Sequence, residues 1–458
     1  MASTEWRQAV IFIHGVGEQR PMESLRAFAS TVLTKRKDGK RSADNEIRYF
    51  SKPDHLTETL ELRRLSASPD YVHVPTDFYE LYWAHLMQGT AWSHVAAWVW
   101  MLMLRNPWHD HVSMSIRMLW TGSWVGLIAG VMCIVVLNPS MEPLKLLGYG
   151  LLGVAAYIAL RLVGFAGLHY VGDAARYLSP LPQNIEARKN IRNAVIGLLK
   201  KLHEEEDRRY HRIIVVGHSL GSVIAYDALT HLWQSRHSKL VADPVGCRCQ
   251  PELEQSRRLG LHLTVGDIDD GTRERLVERY QVRQRRLWAE QLRIGIDWRI
   301  TDLVTLGSPL THCNFLLSRG QKEWEMMTKQ REYPTAPPQA EDDRDQEQGK
   351  SRLQISFPNK EKKVRILHHA ALFACTRWTN LYFAADPLAG RVGGADRFGF
   401  AVEDVQLSPA RFRSRSPLAH TAYWSEGETG ARDELLRALR LDEGKAPPEV
   451  DQEEPDTD

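Results

Sequence analysis

Cysteine is scarce in this chain, and neither sign of charge dominates. Five scattered cysteines in 458 residues, one of them inside an apolar run, make no disulfide framework, and a reducing compartment fits best. Cys247 and Cys249 form a C-x-C pair with no second ligand pair at zinc spacing, so they read as ordinary thiols and no metal or cofactor is expected. With 59 basic against 57 acidic residues, the positive excess of a nucleic-acid surface is missing. Met1 to Gln8 has neither a long apolar core nor a small-residue cleavage site, so no signal peptide is expected. Tryptophan, by contrast, is plentiful. Fourteen are present, several clustered between Trp83 and Trp124, which points toward a membrane interface.

The stretch Arg212 to Leu229, RIIVVGHSLGSVIAYDAL, organises the reading. Ile213 to Val216 is a β-branched run without polar alternation, as expected of a parallel strand buried on both faces. Gly217-His218-Ser219-Leu220-Gly221 follows, and Val223, Ile224, Ala225, Ala228 and Leu229 then recur at helical spacing. A strand, a G-x-S-x-G turn and a helix together predict a nucleophile elbow with Ser219 at its tip. The plainer alternative is a glycine-rich turn whose serine only caps the helix. Near the start, Ala9 to Ile13 reads as a buried strand running into His14-Gly15-Val16-Gly17, with Pro21 opening an amphipathic helix to about Lys35. A strand ending in H-G-x-G suits half of an oxyanion hole, since glycine lets a backbone N–H face developing negative charge. Val16 or Gly17 would supply one donor and Leu220 the other. His14 is expected to brace the loop rather than act as a base.

The middle of the chain changes character. Glu46 to Ser51 and Asp77 to Trp83 read as strands. Ala91 to Leu104 is apolar and aromatic but too short to span a bilayer; a buried helix and a headgroup-level helix stay equally open. Residues 118–138 carry no charge, about the ~20 residues a bilayer core requires. A polar turn and a second apolar run, 144–161, follow. The expectation is a two-helix transmembrane hairpin within a membrane-associated segment, 91–175. An apolar hairpin buried in the protein or dipping into one leaflet is the alternative. Gly122, Gly126 and Gly130 form a smooth face for close helix packing, within the hairpin or against a second copy. Arg105 and Arg117 before the hairpin, and Arg176, Arg188, Lys189 and Arg192 after it, place both flanks on the cytoplasmic side.

Ile191 to Leu202 is an amphipathic helix leading into the elbow. After the elbow helix, residues 233–299 form an insertion with a charged helix, Thr272 to Arg293, readable as a cap over the serine or as a solvated surface helix. Asp302 to Leu306 reads as a buried strand closed by Gly307-Ser308-Pro309. Residues 334–351 look like a disordered loop and 441–458 like a disordered acidic tail. Ile366 to Cys375, holding His368 and His369, looks helical. Trp378 to Ala385 reads as a strand that delivers Asp386, stopped by Pro387, and Ala401 to Leu407 as a last strand before the loop with His420. A serine hydroxyl needs an imidazole base, and the base needs an acceptor to fix its tautomer. Asp386 is preferred over Asp404 and Glu403, and His420 over His312, His368 and His369, because each follows a strand end. Asp227 is read as a surface or structural charge.

The order Ser219, Asp386, His420, with the elbow, the H-G-x-G loop and the Leu306-to-Pro309 turn, resembles the lipase and esterase branch of the α/β-hydrolase superfamily, over residues 9–35 and 191–424. The resemblance implies an α/β fold: a mostly parallel sheet flanked by helices, here with the inserted hairpin and a helical cap-like insertion. The hydrolase domain would comprise 1–90 and 176–440. It implies Ser219 as nucleophile, His420 as base and Asp386 as its orienting partner. Backbone N–H groups of Val16 or Gly17 and of Leu220 would form the oxyanion hole, with His14, Gly15, Gly217, His218 and Gly221 in support. The expected activity is hydrolysis of carboxylic esters, those of lipids, at a membrane. Acyl transfer and a catalytically idle membrane scaffold are the alternatives.

Overall fold

The computed structural model describes residues 6–17, 20–34, 36–37, 40–41, 47–57, 61–87, 98, 100–108, 114, 117–118, 120–126, 128, 172–179, 181–205, 209–240, 250–264, 268–344, 351–359, 363–425 and 427–443. Its main sheet has eight strands. In chain order these are β1 (Gln8–Ile13), β2 (Tyr49–Pro53), β3 (Arg63–Ala67), β4 (Thr76–Leu81), β5 (Arg212–His218), β6 (Ile300–Leu306), β7 (Arg377–Phe383) and β8 (Glu403–Leu407). They lie side by side in the order β8-β7-β6-β5-β1-β4-β3-β2. Every neighbouring pair from β8 across to β4 is parallel, and β3 is antiparallel to both of its neighbours. The fold is therefore α/β with a mostly parallel sheet.

Burial explains why these segments are strands. β1, β4, β5 and β6 are buried at every position, so both faces need apolar side chains and polar alternation disappears. Odd and even positions serve two cores. Ala9, Ile11, Ile213, Val215 and Leu303 face one, with α2 (Ile185–Glu204) and α3 (Leu220–Arg236). Val10, Phe12, Ile214, Val216 and Val304 face the other, with α1 (Glu23–Val32) and, near the end of the chain, a helix spanning Thr429–Leu439.

Four expectations change. The insertion folds as α4 (Pro251–Thr264) and α5 (Asp270–Arg293), but it does not cover the serine. Gln284 of α5 donates to the carbonyls of Phe373 and Thr376, just before β7, and Trp288 donates to Trp298 O, just before β6. Gln281 reaches Glu403 at the start of β8. The helix thus crosses the amino ends of the strands, whereas Ser219 leaves a carboxyl end; burying Tyr280, Leu287 and Trp288 there is what holds it.

Pro334 to Ala340 is ordered rather than disordered, because its polar backbone finds partners: Ala336 N–H donates to Phe398 O and Ala401 N–H to Ala336 O. Glu341–Arg344 then pairs antiparallel with Ser351–Gln354, and 345–350 lie outside the described residues. Ile366 to Cys375 is not helical; it holds the end of a strand, Val364–Leu367, and a short turn at Leu372–Ala374. In the 441–458 tail, Glu443 is pinned by Arg377, while 444–458 lie outside the described residues.

The hairpin falls largely outside the described residues, as do Gly130, Cys247 and Cys249. Among the described residues no helix is long and apolar enough to cross a membrane. The positions around Gly122 and Gly126 that added β-carbons would occupy are open. Among the described residues from 98 to 128, Trp98 is buried while Trp100, Leu104, Trp108, Met114, Met118, Val125 and Ile128 are exposed.

Candidate active site

Strand register brings the candidate loops together. Ile13 pairs with Gly217 across β1 and β5, and His218 with Leu306 across β5 and β6. Leu306 in turn pairs with Leu381 on β7. The loops after β1, β5, β6 and β7 therefore leave the same edge of the sheet within a few strand widths.

Ser219 sits between β5 and α3 with φ 53° and ψ −128°, a region that side chains rarely occupy. Such a residue stores roughly 1–3 kcal/mol of strain and persists only where its surroundings hold it. Here its N–H donates to Leu306 O at 2.9 Å. The Ser222 hydroxyl donates to its carbonyl at 2.5 Å and meets the Ser308 hydroxyl at 2.6 Å. Glycine is required by close approach at two points. A β-carbon on Gly221 would lie 2.2 Å from Ile13 O, and one on Gly15 would lie 2.8 Å from Ser219 Cβ. The loop of β1 and the elbow are thus in direct contact.

His420 is carried by a short helical turn, Pro417–Thr421. Its Nε2 lies 2.7 Å from Ser219 Oγ, and its Nδ1 lies 2.9 and 3.1 Å from the two oxygens of Asp386. A carboxylate can only accept, so Nδ1 carries the proton and Nε2 offers its lone pair to the serine hydroxyl. Asp386 is 3 % exposed. Burial pushes its pKa up, but hydrogen bonds from His420, Tyr423 and the Leu388 N–H outweigh that and hold it below the usual range. The Tyr423 hydroxyl contributes a 2.7 Å bond. That role was not visible in the sequence, where Tyr423 is simply a tyrosine after the histidine.

The supporting residues fall into place around this line. His14 is buried and stacked on Trp83 at 5.1 Å. Trp83 N–H donates to its Nε2, so Nδ1–H donates to Gly15 O at 2.8 Å. Burial lowers its pKa to about 4. Both nitrogens are engaged and the ring stays neutral, so it braces the loop. His218 donates from Nε2 to the His420 carbonyl at 2.8 Å, holding that histidine from behind. Burial, then the nearby His420, lowers its pKa to about 3. Gly17 adopts φ 107° beside the half-buried Val16. Leu220 opens α3, where the first N–H groups have no acceptor within the helix and the dipole is positive.

The rivals stand outside this hydrogen-bonded line. Asp404 accepts from Asn380, Val392 N and Gly393 N, and Glu403 from Thr379 and Gln281. His312 is buried and its pKa is lowered by that burial to about 4. Asp227 ties Tyr177 to Arg192, a structural charge. Glu341, His368 and His369 converge within 4.8 Å of one another, but both ring nitrogens of His368 are engaged, by Gln339 O and Ala370 N. Cavities of about 540 and 390 Å³ are lined by other residues, so geometry rather than volume singles out this site. No protein-family model matches the chain, and no match was found among curated proteins or solved structures.

Proposed function

We propose that the protein is a serine ester hydrolase of the α/β-hydrolase type, anchored in a membrane by the 118–161 hairpin and acting on acyl esters of lipids. One observation carries the chemistry: the 2.7 Å contact from His420 Nε2 to a strained Ser219 Oγ, continued through Nδ1 to a buried carboxylate. A nucleophile, its base and the group that orients the base lie in one hydrogen-bonded line.

In the first step Ser219 Oγ attacks the ester carbonyl while His420 takes its proton. The tetrahedral oxyanion is received by N–H groups of Leu220 and of Val16 or Gly17. His420 then protonates the leaving alkoxide, giving an alcohol and an acyl-serine. Water, deprotonated by the same histidine, attacks the acyl carbon, and collapse releases the acid and restores Ser219. Asp386 stays ionised and steadies the imidazolium in each half.

The lipid substrate and the membrane are supported by different observations: the uncharged 118–138 run and the exposed apolar side chains from Trp100 to Ile128. Both flanks of the hairpin are tied to the body by its arginines. Arg105 donates to Phe315 O and Ser318 O, and Arg176 to Met87 O. The positive flanks support a cytoplasmic orientation of this body. Self-association through Gly122, Gly126 and Gly130 belongs to the same proposal.

The test is hydrolysis of a series of acyl esters, from short-chain soluble esters to phospholipids, by the solubilised full chain. Activity should be present and should fall by roughly 10⁴-fold or more in Ser219→Ala. Folded protein inactive on every ester, or equally active without the hydroxyl, would overturn the reading.

A further inference from the structure

The loop that delivers His420 has a second character. From Val405 to Trp424 there is no acidic residue, while Arg411, Arg413 and Arg415 alternate with Phe412 and Ser414. All three arginines are exposed. Phe412 is 84 % exposed and Leu418, two residues before the catalytic histidine, 62 %. Large apolar groups held this far into solvent, set among cations, suit the boundary between lipid headgroups and acyl chains.

The loop is stiff. The nearly buried Glu428 carboxylate accepts from Ala410 N, Arg411 N and the Ser414 hydroxyl at 3.0, 3.1 and 2.7 Å. That carboxylate is turned inward, to two backbone N–H groups and the Ser414 hydroxyl. Arg413 donates to Thr421 Oγ1 and Arg415 to Pro409 O; among the described residues neither is paired with a carboxylate. Apolar side chains and positive charge are thus displayed together on a rigid support.

Position completes the argument. The loop follows β8 and ends at the mouth of the serine, so it lies at the carboxyl edge of the sheet. The flanks of the hairpin are tied to segments leaving that same edge: Met87 follows β4, and Phe315 and Ser318 follow β6. Thr311, beside them, bonds Arg391 O in the loop after Asp386. We infer that the 409–418 loop docks onto an anionic lipid surface, with Arg413 and Arg415 on headgroup phosphates and Phe412 and Leu418 among the upper acyl chains. Ser219 then faces the bilayer from which it takes its ester. The consequence for catalysis rests on the ester-hydrolase reading; the docking itself does not.

The experiment has two arms. In the first, the full chain carrying Ser219→Ala is reconstituted into phosphatidylcholine bilayers with or without about a quarter phosphatidylglycerol, and phenylglyoxal modification of Arg413 and Arg415 is followed by mass spectrometry. The anionic bilayer should slow modification by at least about fivefold in about 0.1 M salt, with the protection lost near about 1 M. Equal modification in both bilayers would overturn the inference. So would protection that appears without anionic lipid and rises with protein concentration, which would assign the patch to a second copy.

In the second arm, R413Q/R415Q in the otherwise native chain should lose on the order of 30-fold in hydrolysis of a long-chain ester in anionic bilayers, at about 1 kcal/mol per arginine. Its rate on a soluble short-chain ester should be unchanged. An unchanged rate in the anionic bilayer would contradict the docking. A native chain inactive on all esters would remove the ester-hydrolase reading while leaving the first arm to decide the docking.

Discussion

The two edges of the central sheet each bury an aspartate among hydrogen-bond donors, and the two are built for opposite ends. At the carboxyl edge Asp386 holds one histidine, and that histidine faces the hydroxyl of one serine. At the amino edge Asp302 is closed on every side. Arg212 meets it at 2.7 Å, Arg377 at 2.8 and 3.2 Å, and Thr301 at 2.5 Å. Burial raises the pKa of Asp302, but the guanidiniums of Arg377, Arg212 and Arg440 outweigh it and hold it far below the usual carboxylate range. Arg212, fully buried, also donates to Leu439 O and Arg440 O, and Glu443 bonds Arg377, so this network fastens the end of the described chain to the sheet. A closed network of charges is structure. A line of hydrogen bonds ending at a strained hydroxyl is what the proposed chemistry would use.

The same substitution at the two edges should therefore separate activity from stability. Asp386→Asn leaves the packing nearly intact but no longer fixes the His420 tautomer, and ester turnover should fall by roughly 10⁴-fold with little change in Tm. Asp302→Asn leaves the buried guanidiniums of Arg212 and Arg377 with Glu443 as their remaining counter-charge. It should lower unfolding free energy by roughly 3–5 kcal/mol, read by denaturant titration, while the turnover of the molecules that remain folded is unchanged. If Asp302→Asn instead slowed turnover of folded protein as much as Asp386→Asn does, the contrast would collapse.

Acid should erode both edges. Burial lowers the pKa values of His14, His203, His312 and His368 to about 4 and of His218 to about 3. As pH falls below ~6.5 the unfolded chain takes up protons at these positions and the folded chain does not, so stability falls with pH. Glu80 and Glu290, raised by burial to about 7, act the other way. They hold protons when folded that the unfolded chain releases, and they add stability as pH falls from 7. Five histidines against two glutamates leave a net loss, at roughly 1–2 kcal/mol for each fully buried histidine by pH 5. Tm measured from pH 7 to pH 5 should drop; a rise would show that the glutamates dominate.

The smallest effect belongs to Tyr423. Removing its hydroxyl takes one bond from Asp386 but leaves His420 and Leu388 N in place, so Tyr423→Phe should cost about 1 kcal/mol of transition-state stabilisation, roughly fivefold in kcat/KM. An effect near that of Asp386→Asn would place the tyrosine in the reaction itself.

Much of the carboxyl edge was legible in the sequence, and little of the amino edge. Ile213 to Val216 could be read as a fully buried strand because it carries no polar alternation, and Gly217 and Gly221 marked the close approach that the elbow requires. Asp386 was recognisable because Pro387 stops the strand beside it. Nothing comparable announced Arg212, Arg377 or Asp302, since isolated charges in a sequence read as solvated until a fold brings them together. Helix α5 was ambiguous for the same reason: its apolar stripe required a surface to pack on but did not say which edge of the sheet would supply it. The acidic, polar run Glu341 to Gly349 within a proline-containing stretch suggested disorder over 334–351, because a pattern of residue types does not reveal that the Ala336 backbone has partners at Phe398 and Ala401.

The central claim, that Ser219 is an activated nucleophile, is tested most directly by reacting the solubilised full chain with a fluorophosphonate and locating the adduct by mass spectrometry. The account predicts stoichiometric modification at Ser219, abolished in His420→Ala. An unmodified Ser219 in protein that unfolds cooperatively, or an adduct that forms equally well without His420, would contradict it.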